Sequence, residues 1–223
     1  MAETITATGD YGTYYYIDSD SIRDVLTQEQ QDANAWYIWR YVQANNSNWT
    51  VNAVSAMCGN FAHEGVMNPA QWQYGCGKDE NDGYGLGQWT PATKLFNFLS
   101  GTSWSRTTID GQIAMVANEA ATGQQWIVTS AYPLSMNDFL ASTESVEYLA
   151  SAWLYDWERP ADPAATESDR RKSAAHYYTL LTGEEPPGPG PGPGPGPGPG
   201  PGPGPEERAT RLRPCFYHRH RYD

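Results

Sequence analysis

Residues 186–205 are an unbroken run of proline and glycine, which limits where this chain can fold. Proline lacks the backbone N–H that helices and sheets use, and glycine loses the most conformational freedom when it is ordered. The run also lacks the three-residue period of collagen. We therefore predict a linker at residues 183–205, a short basic tail at residues 206–223, and a folded body before them.

A helix is predicted between Thr50 and Gly65. Thr50 is a suitable N-cap, and glycine tolerates the left-handed conformation that ends many helices. Apolar residues recur at helical spacing on one face: Val51, Val54, Met57, Cys58 and Phe61. Glu64 falls in the last turn, where the helix dipole and neighbouring apolar rings favour a protonated carboxyl group. A general acid needs that form.

Residues 76–89 begin with Gly, Asp and Asn and end with aromatic residues spaced by glycines. This pattern predicts a turn followed by a short strand, and thus a small β wing near residues 74–90. Trp72, Tyr84 and Trp89 are candidates for stacking on a sugar ring, and Gln88 for hydrogen bonding to it. A glycine-rich hairpin that packs its aromatic rings into the core is an equal alternative.

The rest of the body is predicted to be mainly helical. Apolar residues at helical spacing indicate helices around Ala35–Val42, Leu95–Leu99, Ile109–Val116, Val146–Trp157 and Ala175–Leu181, with Thr90 and Pro91 opening the second of these. The expected fold class is therefore α+β, mainly helical, with the β wing. Residues 1–27 form an N-terminal segment of unassigned role, for which padding of the fold and a docking strand both stay open.

Several separate blocks of this sequence occur in the order found in one known family. They are residues 34–38, residues 48–54, Gly59-Asn60 with Glu64, Asn68-Pro69, Trp72, residues 83–93, residues 157–160, and Arg171 with Tyr177-Tyr178. Together they resemble the phage tail lysozyme family over residues 28–182. The resemblance implies a lysozyme-like catalytic domain there, peptidoglycan as substrate, and Glu64 as the catalytic acid. The sequence departs from the family pattern beside Glu64, at His63 and Gly65, and at Gly87.

Hydrolysis of a glycosidic bond requires a second carboxylate across the cleft. The candidates are Asp79, Glu80 and Asp82 in the turn that follows the predicted acid. We favour Asp82 over Asp79, because Asp82 directly precedes the segment at Gly83. All three are equally explained as solvated turn residues. A lytic transglycosylase would need no second carboxylate, because the sugar's own 6-hydroxyl attacks.

Composition excludes several other classes of function. The net charge of −12 argues against nucleic acid as the main partner. The zinc peptidase motif H-E-x-x-H is not present at His63, because Met67 stands where its second histidine belongs. We expect no cofactor and no bound metal. The three cysteines fit no metal-site spacing. They are expected to be free thiols, as in a chain made in a reducing cytosol, with a Cys58–Cys76 disulfide as the alternative.

No secretion signal or membrane-spanning segment is apparent in the sequence. The expected partners are bacterial peptidoglycan and, in a virion, other phage tail proteins, with no membrane. The expected location is the phage tail, or the host envelope after release. A rival from another class is a non-catalytic module that binds the wall or supports the tail.

Overall fold

The computed structural model describes residues 2–184, so the predicted tail and nearly all of the predicted linker lie outside it. The described part is mainly helical, with one antiparallel hairpin, which confirms the predicted fold class. Its elements are β1 (Ile5–Gly9), β2 (Gly12–Tyr16), α1 (Gln28–Asn45), α2 (Val51–Gly65), α3 (Thr93–Leu99), α4 (Ile109–Thr122), α5 (Met136–Leu140), α6 (Val146–Trp153), a π-helix (Leu154–Glu158) and α7 (Ala164–Thr182).

Helix α2 forms the centre of the core. Its N-cap is the predicted one, with the Thr50 hydroxyl accepting a hydrogen bond from the Ala53 N–H at 3.1 Å. Its end differs from the prediction, because Gly65 stays helical and Val66 adopts the left-handed conformation with a φ of 49°. A side chain at Gly65 would lie 2.8 Å from the Gly85 carbonyl oxygen. Gly65 is therefore required for close approach of the chain rather than for the helix stop.

Helices α6 and α7 pack against α2. A Cβ atom at Gly59 would lie 2.5 Å from the backbone nitrogen of Ala174, so only glycine allows the observed contact between α2 and α7. Asn60 is fully buried, and its side-chain amide donates to the carbonyl oxygen of Ala150 at 3.1 Å. These contacts hold three helices together near the end of α2.

The prediction of a strand near residues 74–90 is wrong, because the described sheet lies elsewhere in the chain. The described sheet consists of β1 and β2, in register from the pair Ile5 and Tyr16. Residues 74–90 contain only isolated bridges, which join Tyr84 to Trp72 and to Trp89. Left-handed conformations at Gly85 and Gln88 turn the chain back within a few residues, so no ladder can extend.

The N-terminal segment, whose role the sequence leaves open, packs against the body. The Asn34 side chain of α1 accepts from the Tyr15 N–H at 2.7 Å and donates to the Tyr15 carbonyl oxygen at 2.8 Å. The buried Asn68 makes the same pair of bonds with the backbone of Ile17. These amides hold the backbone at Tyr15 and Ile17 against the body, while the role of residues 1–27 stays a prediction.

The other predicted helices are present with small differences. Helix α3 begins at Thr93, two residues after Pro91. The predicted apolar stripe up to Trp157 is divided between α6 and the π-helix. Cys58 carries a buried free thiol, whereas Cys76 is disulfide-bonded, which contradicts the expectation of free thiols. Among residues 2–184, no helix combines the length and apolar character needed to cross a bilayer.

Candidate functional site

A cleft of about 160 Å³ opens beside the end of the π-helix. Three parts of the chain form it: the glycine-rich loop, the start of α3 and the π-helix with Gln125. The lining residues are Gly87, Gln88, Trp89, Thr90, Lys94, Gln125, Trp157 and Glu158. Gly87 is needed here, because a Cβ atom at this position would lie 2.5 Å from the Trp157 ring.

Glu64 forms an ion pair with Arg170 of α7. The Arg170 side chain is only 2% exposed, while that of Glu64 is 24% exposed. Arg170 also donates to Asn60 Oδ1 at 2.9 Å and to the Thr166 hydroxyl at 3.2 Å. The sequence predicts apolar rings around the Glu64 carboxyl group, and the structure places a buried cation there.

Glu158 is the second carboxyl group of this cluster. It ends the π-helix, is half-buried and lines the cleft. Burial raises the pKa of Glu158 well above its usual value, and the charge of Glu64 raises it further, against the opposing effect of Arg170. Trp153 Nε1 donates to Glu158 at 3.0 Å. Glu64 is thus paired with Arg170, while the surroundings of Glu158 favour its protonated form.

A third acidic residue, Glu119 of α4, lies behind the cleft and is 2% exposed. Its two oxygens accept hydrogen bonds from Trp89 Nε1 at 3.0 Å and from Trp157 Nε1 at 2.9 Å. Burial raises the pKa of Glu119 to about 7, although the two indole bonds act in the opposite direction.

The acidic turn that was expected to supply the second carboxylate lies apart from the cleft lining. Asp79 is exposed, and its carboxylate accepts from the backbone and side chain of Asn81 at 2.9 and 2.8 Å, which lowers its pKa. Glu80 is exposed as well. Asp82 is partly buried, which raises its pKa, and its carbonyl oxygen accepts from the Ala92 N–H. The catalytic role of Asp82 or Asp79 stays a prediction.

The three rings expected to stack on sugar are packed in the core. Tyr84 is 0% exposed, Trp72 2% and Trp89 3%. Trp72 and Tyr84 meet edge to face with centroids 4.7 Å apart. In this conformation only Trp89 borders the cleft, together with Gln88. The Gln88 amide donates to the carbonyl oxygens of Gln71 and Gly85, so its nitrogen holds the loop.

Sequence reasoning assigned no role to Arg170 or Glu119. Arg170 has a detectable signal, because it shares helical spacing with the buried residues Ala174, Tyr177 and Leu181. A charged residue on a buried stripe requires a buried partner. Glu119 lies similarly on the buried face of α4, but nothing in the sequence indicates that indole groups would meet it.

The chain is similar in sequence to known phage proteins. The sequence profile of the family described as phage tail lysozyme matches residues 33–181. The chain is also 33% identical over 163 residues to morphogenesis protein 1 of Bacillus phage B103. That alignment covers 73% of this chain and 43% of the phage protein, so the chain spans less than half of the relative's length.

Proposed function

Because the chain belongs to the phage tail lysozyme family, we propose that it degrades bacterial peptidoglycan as a glycosidase. The bond cleaved is the β-1,4 link of the glycan strand, and Glu64 is the general acid. The observation that carries this proposal is the ion pair of Glu64 with Arg170, whose charges both act on Glu158 in the cleft wall.

Glycoside hydrolases use two carboxyl groups in different protonation states. Environments that differ in burial and charge produce such a difference. Here Arg170 pairs with Glu64, while burial and the charge of Glu64 favour the proton on Glu158. We therefore propose Glu158 as the partner carboxyl group, ahead of Asp82 and Asp79.

The proton that Glu158 retains allows a second assignment of the two catalytic roles. Glu158 would donate it to the leaving oxygen, and the ion-paired Glu64 would stabilise the sugar cation or activate water. The raised pKa of Glu158 favours this division, whereas the family resemblance favours Glu64 as acid. Both divisions require Glu64.

Analysis of digestion products tests the reaction class. Purified peptidoglycan is digested, and the fragments are analysed by mass and by reducing ends. We expect new reducing ends, one for each bond cleaved. Fragments with 1,6-anhydro ends would instead establish a lytic transglycosylase, and no fragments at all would establish a non-catalytic wall-binding module.

Chemical rescue separates the roles of the two glutamates. An activated aryl glycoside needs no proton for its leaving group, so it restores turnover when the general acid is lost. Azide replaces a missing nucleophile or base. We expect E64Q to be rescued by the aryl glycoside and E158Q by azide. If azide rescued E64Q and the aryl glycoside rescued E158Q, Glu158 would be the general acid.

We also propose a location in the virion tail, with peptidoglycan and neighbouring tail proteins as partners. Family membership and the phage morphogenesis relative support this location. Peptidoglycan digestion by purified virions, blocked by an antibody raised against residues 28–182, is the expected result. Detection of the protein only in the lysate, and not in virions, would favour release into the host envelope.

A further inference from the structure

Two tryptophans of the cleft, from different segments of the chain, donate hydrogen bonds to the same buried carboxylate. Trp89 follows the glycine-rich loop, Trp157 lies in the π-helix beside Glu158, and Glu119 comes from α4. Their indole rings meet edge to face, with centroids 5.8 Å apart and planes at 88°. Each indole N–H donates to its own oxygen of Glu119. The carboxylate therefore fixes the relative placement of both rings.

The chemistry of the donors explains why a carboxylate occupies this position. An indole N–H is a donor only, and an ionised carboxylate is an acceptor only. In its ionised form, one glutamate therefore satisfies both buried donors. A glutamine offers one acceptor oxygen, and its amide nitrogen would face the second indole as another donor.

The surrounding charges connect Glu119 to the proposed reaction. Lys94 of α3 and Arg159 act on it as cations, and the charge of Glu119 raises the pKa of Glu158. The groups that face Glu119 are thus the two indoles, the two cations and Glu158. A change at Glu119 alters both the shape of the cleft wall and the proton affinity of Glu158.

We propose that Glu119 is a positioning residue that holds Trp89 and Trp157 as the cleft wall and thereby orients the π-helix carrying Glu158. Glu119 acts through these residues and has no contact with the reacting atoms. The inference rests on the proposed glycosidase function, which supplies the reason for orienting Glu158.

Turnover of soluble peptidoglycan fragments tests this role, measured on folded protein well below the melting temperature. We expect E119Q to lower kcat at least tenfold while KM changes by less than threefold. D110N is the matched control, since Asp110 lies on the same helix and accepts one hydrogen bond from Tyr37 at 2.8 Å, outside the cleft. It should change kcat less than twofold.

A double substitution distinguishes positioning from general structural damage. W157F removes one indole donor, so the single oxygen left by E119Q then suffices for Trp89. We expect E119Q to lower kcat less than threefold when W157F is already present. An equal loss in both backgrounds, or a loss in D110N equal to that in E119Q, would overturn the proposal.

Hydrogen exchange in the unaltered protein tests the contacts without any variant or activity. The indole N–H groups of Trp89 and Trp157 should exchange at least a hundredfold more slowly than that of Trp104, which is 36% exposed. Exchange as fast as Trp104 at either ring would overturn the proposal, even if E119Q fails to fold. If the unaltered protein does not digest peptidoglycan, the proposed function fails. Slow exchange of both indole N–H groups would still support the contacts of Glu119 with the two rings.

Discussion

The end of α2 and the turn at residues 79–82 both carry acidic side chains, but they place them in opposite surroundings. Glu64 and Glu158 lie together around a buried arginine beside the cleft. Asp79 lies on the surface, where hydrogen bonds from Asn81 lower its pKa, while burial and Glu64 raise that of Glu158. Sequence position favoured the turn as the source of the second carboxylate, and the packing favours the π-helix.

The largest expected effect is that of E64Q. The substitution keeps an oxygen that accepts from Arg170, but the amide can neither transfer a proton nor carry a negative charge. Activity on purified peptidoglycan should fall by about 10²–10⁴-fold, as is typical for a general acid. The melting temperature should change by only a few degrees. E80Q, at an exposed turn position, serves as the control, and substantial lysis by folded E64Q would remove Glu64 from the mechanism.

Replacement of the buried cation should have the next largest effect. R170M leaves Glu64 without its partner, and breaking a buried ion pair in this way costs about 3–5 kcal/mol. K172M, on the same helix, is the control, because Lys172 is 74% exposed and pairs with Asp169 at the surface, where such a pair contributes about 0–1 kcal/mol. Urea unfolding of both variants gives the comparison. Equal free energies of unfolding would show that Arg170 is not an essential counter-ion.

Stability should also depend on pH through Glu119. Its pKa of about 7 in the folded protein exceeds the usual 4.5 of a glutamate, so the folded state binds the proton more tightly. This contribution to stability is fully present below about pH 4.5 and is lost as pH rises through about 7. As pH rises from about 4.5 to above 7, the free energy of unfolding of the unaltered protein should therefore fall by up to about 3 kcal/mol more than that of E119Q. Parallel pH curves for the two proteins would contradict the assignment.

The smallest effects are expected in the acidic turn. D79N and D82N should each keep peptidoglycan digestion within a few-fold of the unaltered protein, whereas E158Q should lose at least a hundredfold. The difference follows because partial burial and the nearby charge of Glu64 raise the pKa of Glu158. A hundredfold loss in D82N, with little loss in E158Q, would return the second carboxylate to the turn.

Local signals in the sequence were sufficient for much of the helical framework. The N-cap at Thr50 and the apolar spacing after it predicted α2, including the place of Glu64 in its last turn. These features depend on neighbours within one or two helical turns. The β wing failed for the opposite reason, because alternating glycine and aromatic residues are typical of both a strand and a tight turn. The packing of β2 and Ile17 against the body depends on Asn34 and Asn68, which are distant in sequence.

The sequence by itself determined the helices, the position of Glu64 and the family resemblance over residues 28–182. Only the tertiary structure decided which charges meet. Arg170 is 106 residues from Glu64 in the chain, and Trp157 is 38 residues from Glu119. Protonation depends on burial and on charges a few ångströms away, and these are properties of packed helices rather than of sequence spacing. Packing therefore brought the charges of Glu64, Arg170 and Glu119 close to Glu158 in the cleft wall.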